Sequence, residues 1–340
     1  MNESKAATIY DIAKEAQVST ATVSRVLNNP EVVSEKTKIR VHEAIEKLSY
    51  APNALARELV TKSTNLIGLL IPDIANSFSP ALIDQVVHEL ESNGYNIFLS
   101  ITGGDPDREA KSIELMLKKR CEGIILLAAR QRKIYSNKII LKLSQKNVPI
   151  VILDYFENES KVCCIRCDEE KGAEMAVQYL VEHGHKKIAM INGNENLSTY
   201  YFKRKGFLNA LKQHGIAVNG DYIKTVEPYF QNGYEAAKEL LECKPIPTAV
   251  FVSGEQMAVG AYKAIQEKGL KVGADISVVG FSGSRLSKAV YPAMTTISQK
   301  ADELGILAAG SLIQQIDGEK PMTNILQPEI IIRDSVCSKV

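Results

Sequence analysis

Apolar positions near the start of the chain predict two short helices joined by a tight turn. Four residues follow the i, i+3, i+4, i+7 spacing of one helical face: Ile9, Ile12, Ala13 and Ala16. Thr8 is the expected N-cap of this helix, and Asp11, three residues on, can form a capping-box-like pair with it. After the turn, Ser19 can cap the second helix. The pattern therefore indicates a helix-turn-helix over residues 8–28.

The second helix separates apolar from polar positions. Three residues form its expected buried side: Val23, Val26 and Leu27. The opposite side carries small or polar residues and one arginine: Thr20, Ala21, Ser24 and Arg25. A third helix over residues 34–48 offers apolar residues that can close a small core: Ile39, Val41, Ala44, Ile45 and Leu48. The arrangement is typical of domains that place a helix in the major groove of DNA, although an ordinary helical subdomain with solvated Thr and Arg side chains would show the same spacing.

Residues 65–340 alternate between short apolar runs and longer amphipathic segments. Six runs predict buried parallel strands: 66–71, 123–127, 148–153, 188–191, 249–252 and 276–280. Seven segments predict helices: 80–93, 107–119, 170–183, 199–214, 233–242, 257–268 and 301–316. Such alternation implies right-handed βαβ units in doubly wound sheets. Since the strands are too many for one sheet, we expect two lobes with a ligand cleft at the carboxyl ends of the strands.

Charge does not identify a polyanion-binding protein. The chain has 41 Lys plus Arg and 40 Asp plus Glu, a net charge of +1. Residues 1–62 contain nine basic and eight acidic residues, again a net of +1. A DNA-binding function would therefore depend on a local patch and base-specific contacts. The sequence contains no cleavable leader and no apolar run of about 18 residues, so we expect a cytoplasmic protein without membrane contact.

Candidate chemistry outside DNA recognition is sparse. The six cysteines lack disulfide-framework spacing and are expected to be reduced thiols. Three of them cluster at 163, 164 and 167, where a strand is expected and no histidine is near, so we expect no metal site. The Gly103-Gly104-Asp105 turn is not a phosphate loop. No histidine has a nucleophile or metal partner at a recognisable spacing, and we expect neither a cofactor nor enzymatic activity.

Several stretches resemble one family of proteins throughout the chain. TIYDIAKEAQVSTATVSRVLN and VSEKTKIRVHEAIEKLSYAPNALAREL resemble the DNA-binding headpiece of the LacI/GalR family of bacterial transcription regulators. The resemblance continues through IGLLIPDIANSFS, GIILL, VEHGHKKIAMING, PTAVF, DISVVGF and TTISQKADELG in family order. It implies a small all-α helix-turn-helix headpiece and an α/β body like the periplasmic binding proteins, with two doubly wound parallel-sheet lobes.

The resemblance also implies domain boundaries. The headpiece would span residues 1–51, a hinge helix or linker 52–64, and the two-lobed effector-binding and dimerisation domain 65–340. The N-lobe would comprise about 65–161 and 293–324, and the C-lobe about 162–292 and 325–340. We expect a homodimer on a near-palindromic operator in double-stranded DNA.

The resemblance assigns roles in the headpiece and the hinge. Arg25 is the expected base reader, since Arg can pair bidentately with guanine, and Thr20 and Ala21 match the other base-reading positions. Other residues are expected mostly to position the DNA backbone: Tyr10, Ser19, Thr22, Ser24, Asn28, Tyr50 and Asn53. The segment containing Ala56 and Leu59 matches a hinge helix that folds on DNA, with the leucine as a wedge in the minor groove. A plain linker is the alternative.

The effector cleft departs from the family pattern. Six positions are expected to bind effector: Phe78, Ser79, Asp154, Lys203, Gly254 and Ser282. Lys203 replaces the family's clamping arginine and Ser282 replaces an aspartate that often binds sugar hydroxyls, while Gly254-Glu255 replaces Asn-Asp. Losing one carboxylate and keeping one cation favours an anionic effector, a sugar acid or sugar phosphate. A solvated Lys203 is equally compatible with the sequence.

The predicted function is an allosteric repressor of a carbohydrate or sugar-acid catabolic operon. Residues Arg285-Leu286-Ser287 and Lys203 are also similar to catabolite control proteins, which use a phosphorylated phosphocarrier protein as corepressor. A global carbon-catabolite regulator is therefore one alternative. A cytoplasmic sugar-binding module without DNA function is another.

Overall fold

The computed structural model describes residues 7–50, 63–127, 138–156, 162–320 and 322–339, excluding the side chains of Asn28 and Lys138. The chain divides into two compact units between Thr64 and Asn65. The first is a small helical headpiece, and the second is an α/β body. Each unit is described separately.

The headpiece contains the three predicted helices. They are α1 (Ile9–Glu15), α2 (Thr20–Asn28) and α3 (Glu35–Lys47), with a 3-10 turn at Pro30–Val32. Their core consists of seven buried residues: Ile12, Ala13, Ala16, Val23, Val26, Val41 and Ala44. The backbone N–H of Thr8 donates to Asp11 Oδ2 at 2.8 Å, which forms the expected pair at the start of α1. The N–H of Thr22 donates to Ser19 Oγ at 3.1 Å and caps α2.

One predicted core residue of the headpiece is wrong. Ile39 is 52% exposed, whereas Val41 is fully buried. A helix turns by about 100° per residue, so two positions place Ile39 on nearly the opposite side from Val41. Val41 and Ala44 are the buried residues of α3, and Ile45 and Leu48 pack partly buried against the same core.

The N-lobe of the body is built on a six-stranded parallel sheet. Its strands are β1 (Leu66–Ile71), β2 (Asn96–Ile101), β3 (Gly123–Leu126), β4 (Ile150–Ile152), β5 (Cys163–Cys167) and β11 (Asn324–Leu326), in the order β11-β5-β4-β3-β1-β2. Its helices are α4 (Ser79–Ser92), α5 (Pro106–Lys118), α6 (Lys138–Gln145) and α12 (Ala301–Ile316). Apolar residues line both faces of the sheet, which form two separate core clusters. The continuous burial of β1, β3 and β4 is what parallel strands covered on both faces require.

The C-lobe repeats this architecture. Its strands are β6 (Ile188–Asn192), β7 (Ile223–Thr225), β8 (Ala249–Val252), β9 (Ser277–Ser282), β10 (Thr295–Ser298) and β12 (Glu329–Ile331), in the order β12-β10-β9-β8-β6-β7. All pairs are parallel except β10 with β12. Its helices are α7 (Glu169–Glu182), α8 (Ser198–Gln213), α9 (Phe230–Glu242), α10 (Glu255–Glu267) and the short α11 (Leu286–Ala289), with a 3-10 turn at Gly220–Tyr222. The predicted two doubly wound lobes are confirmed.

The chain passes between the lobes three times, after β5, after β10 and after β11. The crossings expected near residues 293 and 325 lie a few residues later. Thr295–Ser298 pairs with Val279–Ser282 and so belongs to the C-lobe sheet. Asn324–Leu326 pairs with β5 and keeps the chain in the N-lobe until after Leu326. The pairing of strands distant in sequence therefore fixes both positions.

Among the described residues, no helix is long and apolar enough to cross a membrane. The same residues contain no cluster of His, Cys, Asp or Glu side chains suited to holding a metal ion. All six cysteines are free thiols.

Candidate DNA-binding surface and effector cleft

Helix α2 presents the predicted reading face to solvent. Ala21 and Arg25 are exposed, while Thr20 and Ser24 are half-buried beside them. Val23 and Val26 anchor the opposite side in the headpiece core. The side chains predicted to read bases therefore lie together on the free side of the helix.

The residues predicted to position the DNA backbone differ in exposure. Tyr10 is 73% exposed and Ser19 is exposed at the start of α2, with Thr22 half-buried. Tyr50 packs against the headpiece core, so only part of its ring faces solvent. Asn53, Ala56 and Leu59, together with the side chain of Asn28, lie outside the described residues.

A cavity of about 720 Å³ lies between the lobes at the carboxyl ends of their strands. Its lining contains all six residues predicted to bind effector: Phe78, Ser79, Asp154, Lys203, Gly254 and Ser282. The loops after β1, β4, β6, β7, β8 and β9 supply most of the wall, as the parallel-sheet rule for ligand sites predicts. The cleft is large enough for a sugar-sized ligand.

Asp154 connects the two lobes. It follows β4 in the N-lobe, and Ser198 begins α8 in the C-lobe. Ser198 Oγ lies 2.7 and 2.9 Å from the two carboxylate oxygens of Asp154. The Asp154 carboxylate, which was expected to bind effector, therefore already accepts a hydrogen bond from the opposite lobe. Ser79 is also occupied, since its buried hydroxyl accepts from Asn76 Nδ2 at 2.8 Å.

Lys203 does not offer the free point charge that the sequence suggested. It is only 4% exposed, and its Nζ lies 3.7 Å from Glu169 Oε1. Nζ also donates to the carbonyl oxygen of Ser253 at 3.2 Å and lies 4.2 Å from the centroid of the Phe281 ring. Burial lowers the pKa of Lys203, and the nearby Glu169 carboxylate opposes this effect. The Lys203 cation is therefore paired inside the cleft wall, and an anionic effector would have to compete with Glu169 for it.

Glu169 is the functional residue that sequence reasoning missed. It is the first residue of α7, directly after the first crossing. Gln299, in the second crossing, donates through Nε2 to Glu169 Oε1 at 3.0 Å. Glu169 thereby connects two crossings with Lys203 on α8. The position of Glu169 just after an expected strand could have identified it, since residues at the carboxyl ends of parallel strands line the ligand cleft.

Glu255 organises the wall behind Ser282. Its buried carboxylate accepts from the N–H groups of Gly283 at 2.9 Å and Ser284 at 3.1 Å, and from Thr296 Oγ1 at 3.0 Å. Burial raises the pKa of Glu255, and these donors counteract the rise. Ser282 itself has φ +150°, and its buried Oγ has no hydrogen-bond partner among the described residues. Ser282 therefore combines a strained backbone with a buried hydroxyl that has no hydrogen-bond partner among the described residues.

The described lining of the cleft is acidic and aromatic. It contains five carboxylates: Asp73, Asp154, Glu169, Glu227 and Glu255. It contains two cations, Arg166 and Lys203. Aromatic rings come from five positions: Phe78, Tyr155, Tyr200, Tyr229 and Phe281. Carboxylates outnumber cations even if Glu255 is protonated.

Two of the four residues behind the phosphocarrier alternative are buried, while Leu286 is half-buried. Lys203 is buried in the cleft wall. Ser287 is also buried, and it accepts from Arg333 Nη1 at 3.0 Å. Arg285 is exposed. Of the residues that suggested this partner, Lys203 and Ser287 therefore cannot form part of a protein-binding surface.

Both units of the chain match profiles of known protein families. Residues 8–53 match the profile of bacterial regulatory proteins of the lacI family. Residues 64–333 match the profile of periplasmic binding proteins and the sugar binding domain of the LacI family.

Similar proteins match along nearly the whole chain. The HTH-type transcriptional repressor PurR of Histophilus somni is 34% identical over 97% of this chain and 99% of its own length. Catabolite control protein A of Priestia megaterium is 36% identical over 94% of this chain and 96% of its own. The crystal structure of the lac repressor dimer bound to operator and an anti-inducer superposes with a TM-score of 0.88 at 28% identity, covering 98% of this chain and all of that one. The chain therefore belongs to the LacI family of bacterial regulatory proteins and is a DNA-binding transcriptional regulator with an attached sugar-binding domain.

Proposed function

We propose that this chain is a repressor that binds a near-palindromic operator as a homodimer and is switched by a small effector in the cleft. The observation that supports the proposal best is the free face of α2, where Arg25 and Ala21 are exposed beside Thr20 and Ser24. An arginine flanked by small side chains allows close approach to base edges in the major groove. The near-neutral charge of the chain fits base-specific rather than general DNA binding.

The effector would be a hydroxylated ring that is not an anion. The carboxylates of the cleft accept hydrogen bonds from hydroxyl groups, and its aromatic rings can pack against the apolar face of a sugar. The predicted sugar acid or sugar phosphate would bring further negative charge into a wall already rich in carboxylates. With Lys203 neutralised by Glu169, this wall favours neutral or cationic ligands.

The switch would act through the three crossings between the lobes. A ligand that prefers one lobe arrangement shifts the protein toward it, by no more than its difference in affinity for the two arrangements. Movement of the N-lobes in a dimer would change the spacing of the hinges that precede Asn65. The two hinges could then fold together on DNA in one arrangement only.

The test is a selection of genomic DNA fragments by the purified full-length protein at fixed salt. Enrichment of a near-palindrome upstream of a catabolic operon is the expected result, and the enzymes of that operon would indicate the effector. The Arg25→Ala variant serves as the control, which should enrich a motif that is relaxed at one base pair of each half-site. If the full-length protein enriches no motif, alone or with a panel of sugars and a phosphorylated phosphocarrier protein, the proposed function is wrong.

A further inference from the structure

We propose that the effector cleft selects a ligand that carries a positively charged amino group on a hydroxylated ring, that is, an amino sugar. This inference rests on the proposed effector role of the cleft and names the chemical class that the site accepts. Three features of the lining support it: the balance of charge, the position of two carboxylates with free acceptor oxygens, and an exposed aromatic ring beside one of them.

The described lining of the cleft holds five carboxylates against two cations. Lys203 is committed to Glu169 at 3.7 Å and to the carbonyl oxygen of Ser253. Arg166 lies against the Tyr155 ring, 5.4 Å from its centroid. Asp73 is half-buried in the cleft and Glu227 is exposed at its wall, and an opposite charge close to a partly buried carboxylate stabilises its charged form. A ligand ammonium group would supply that charge.

Two carboxylates provide acceptors from opposite lobes. Asp73 follows β1 in the N-lobe, and Glu227 follows β7 in the C-lobe. Asp73 Oδ1 accepts from the N–H of Ala75 at 2.6 Å, and Glu227 Oε1 accepts from Asn194 Nδ2 at 3.3 Å. The second oxygen of each carboxylate accepts no hydrogen bond from the described residues. An ammonium group has three donors, so it can donate to one such acceptor oxygen and keep donors for other groups of the cleft.

An aromatic ring stands beside Glu227. The N–H of Tyr229 donates to the carbonyl oxygen of Glu227 at 2.8 Å, so both side chains emerge from one tight turn. Tyr229 lines the cleft and is 53% exposed. Aromatic faces attract cations, and the attraction grows when the cation is partly removed from water. A carboxylate next to an open tyrosine ring is thus a better partner for an ammonium group than for a hydroxyl or a carboxylate.

The experiment compares ligands that share a ring and differ in charge. Isothermal titration calorimetry of the full-length protein would use D-glucosamine, D-glucose, N-acetyl-D-glucosamine and D-glucuronate, below about pH 7 where amines are protonated. The galactose and mannose series would be measured in the same way, so that no single ring stereochemistry decides the outcome. In at least one series we expect the amino sugar to bind tenfold or more tightly than its parent and acetylated forms, with no binding of the acid. Tightest binding of the acid, equal binding of all members, or no binding in any series would overturn the proposal.

Two variants locate the charge preference. Glu227→Gln and Asp73→Asn keep the shape of the side chain and remove its charge, so each should reduce the preference for the amino sugar while leaving the binding of the parent sugar within threefold. Glu319→Gln, which removes an exposed carboxylate beyond the end of α12, should leave the preference unchanged. Unchanged selectivity in both cleft variants would contradict the assignment. The operator selection tests DNA recognition independently of these ligands, so failure of the amino-sugar proposal can be distinguished from failure of the proposed function.

Discussion

Two cations of this chain, Arg25 and Lys203, show how far residue-level inference reaches. Arg25 lies on the polar side of a short helix whose pattern is local, and its exposure follows from that pattern. The partner of Lys203 is Glu169, which lies 34 positions away in the sequence and reaches it only through packing of α7 on α8. Helical spacing predicts which way a side chain points, but not which distant group meets it. The anionic effector was predicted from the loss of one carboxylate and the retention of the Lys203 cation, and the sequence did not show that Glu169 pairs with this cation.

Arg25→Ala should weaken binding to the selected operator by about 1–3 kcal/mol per half-site and relax specificity at one base pair. The physical reason is the loss of two hydrogen bonds to one guanine edge. The measurement is a titration at fixed salt against the operator and its single-base variants.

Arg40→Ala is the matched control for Arg25→Ala, since Arg40 is exposed on α3 and its loss changes the charge of the headpiece equally. A phosphate contact contributes equally to every sequence. If Arg25→Ala lowers affinity by the same factor for all operator variants, Arg25 contacts the backbone and not a base.

At the level of elements, the long periodic segments were predictable and the short edge strands were not. Helices over 301–316 and 9–15 follow from an uninterrupted apolar stripe and a capping pair. The three-residue strands β7, β11 and β12 lie at the edges of their sheets and have few buried positions. Strand β2 is also an edge strand, and all six of its residues are half-buried or exposed. Such strands form because a neighbouring strand is available for pairing, and the local sequence pattern does not show whether one is.

At Gly206, helix α8 packs against α7 so closely that a methyl group would disrupt the contact. A Cβ at this position of α8 would lie 2.1 Å from the carbonyl oxygen of Glu170 in α7. Since the obstacle is backbone, Gly206→Ala forces the helices apart, and overpacking of this kind costs about 1–3 kcal/mol of unfolding free energy. Urea denaturation followed by circular dichroism would measure the loss.

Gly310→Ala is the control for Gly206→Ala, because a Cβ at Gly310 in α12 would meet nothing within 4 Å. Alanine is favoured over glycine in a helix by about 1 kcal/mol, so this variant should be as stable as the parent or more stable. Equal effects of the two substitutions would show that helix propensity, and not the contact between α7 and α8, determines the result.

At the scale of the whole molecule, the alternation of strands and helices was enough to predict two lobes with a cleft. It did not fix where the chain changes lobe. Strand β10 is the short segment Thr-Thr-Ile-Ser, and only its pairing with β9 assigns it to the C-lobe. The cleft residues were located because parallel sheets place ligands at one edge. The contacts of Lys203 with Glu169 and of Glu255 with Thr296 join residues distant in sequence and lie outside any local pattern.

Ser198 holds the two lobes in the arrangement described here, and Ser198→Ala should loosen it. The hydroxyl is buried and spans the cleft to both oxygens of Asp154. Hydrogen bonds to charged groups contribute about 1.5–3 kcal/mol, so their loss shifts the population toward more open arrangements. Hydrogen-exchange mass spectrometry should show faster exchange of backbone amides in the crossings after β5 and β10.

Ser112→Ala, which removes a serine–serine bond of 2.8 Å within the N-lobe, should leave those amides unchanged. Equal exchange in the parent and both variants would mean that other contacts set the angle between the lobes, and an effector would then have to act on those contacts instead of on Asp154.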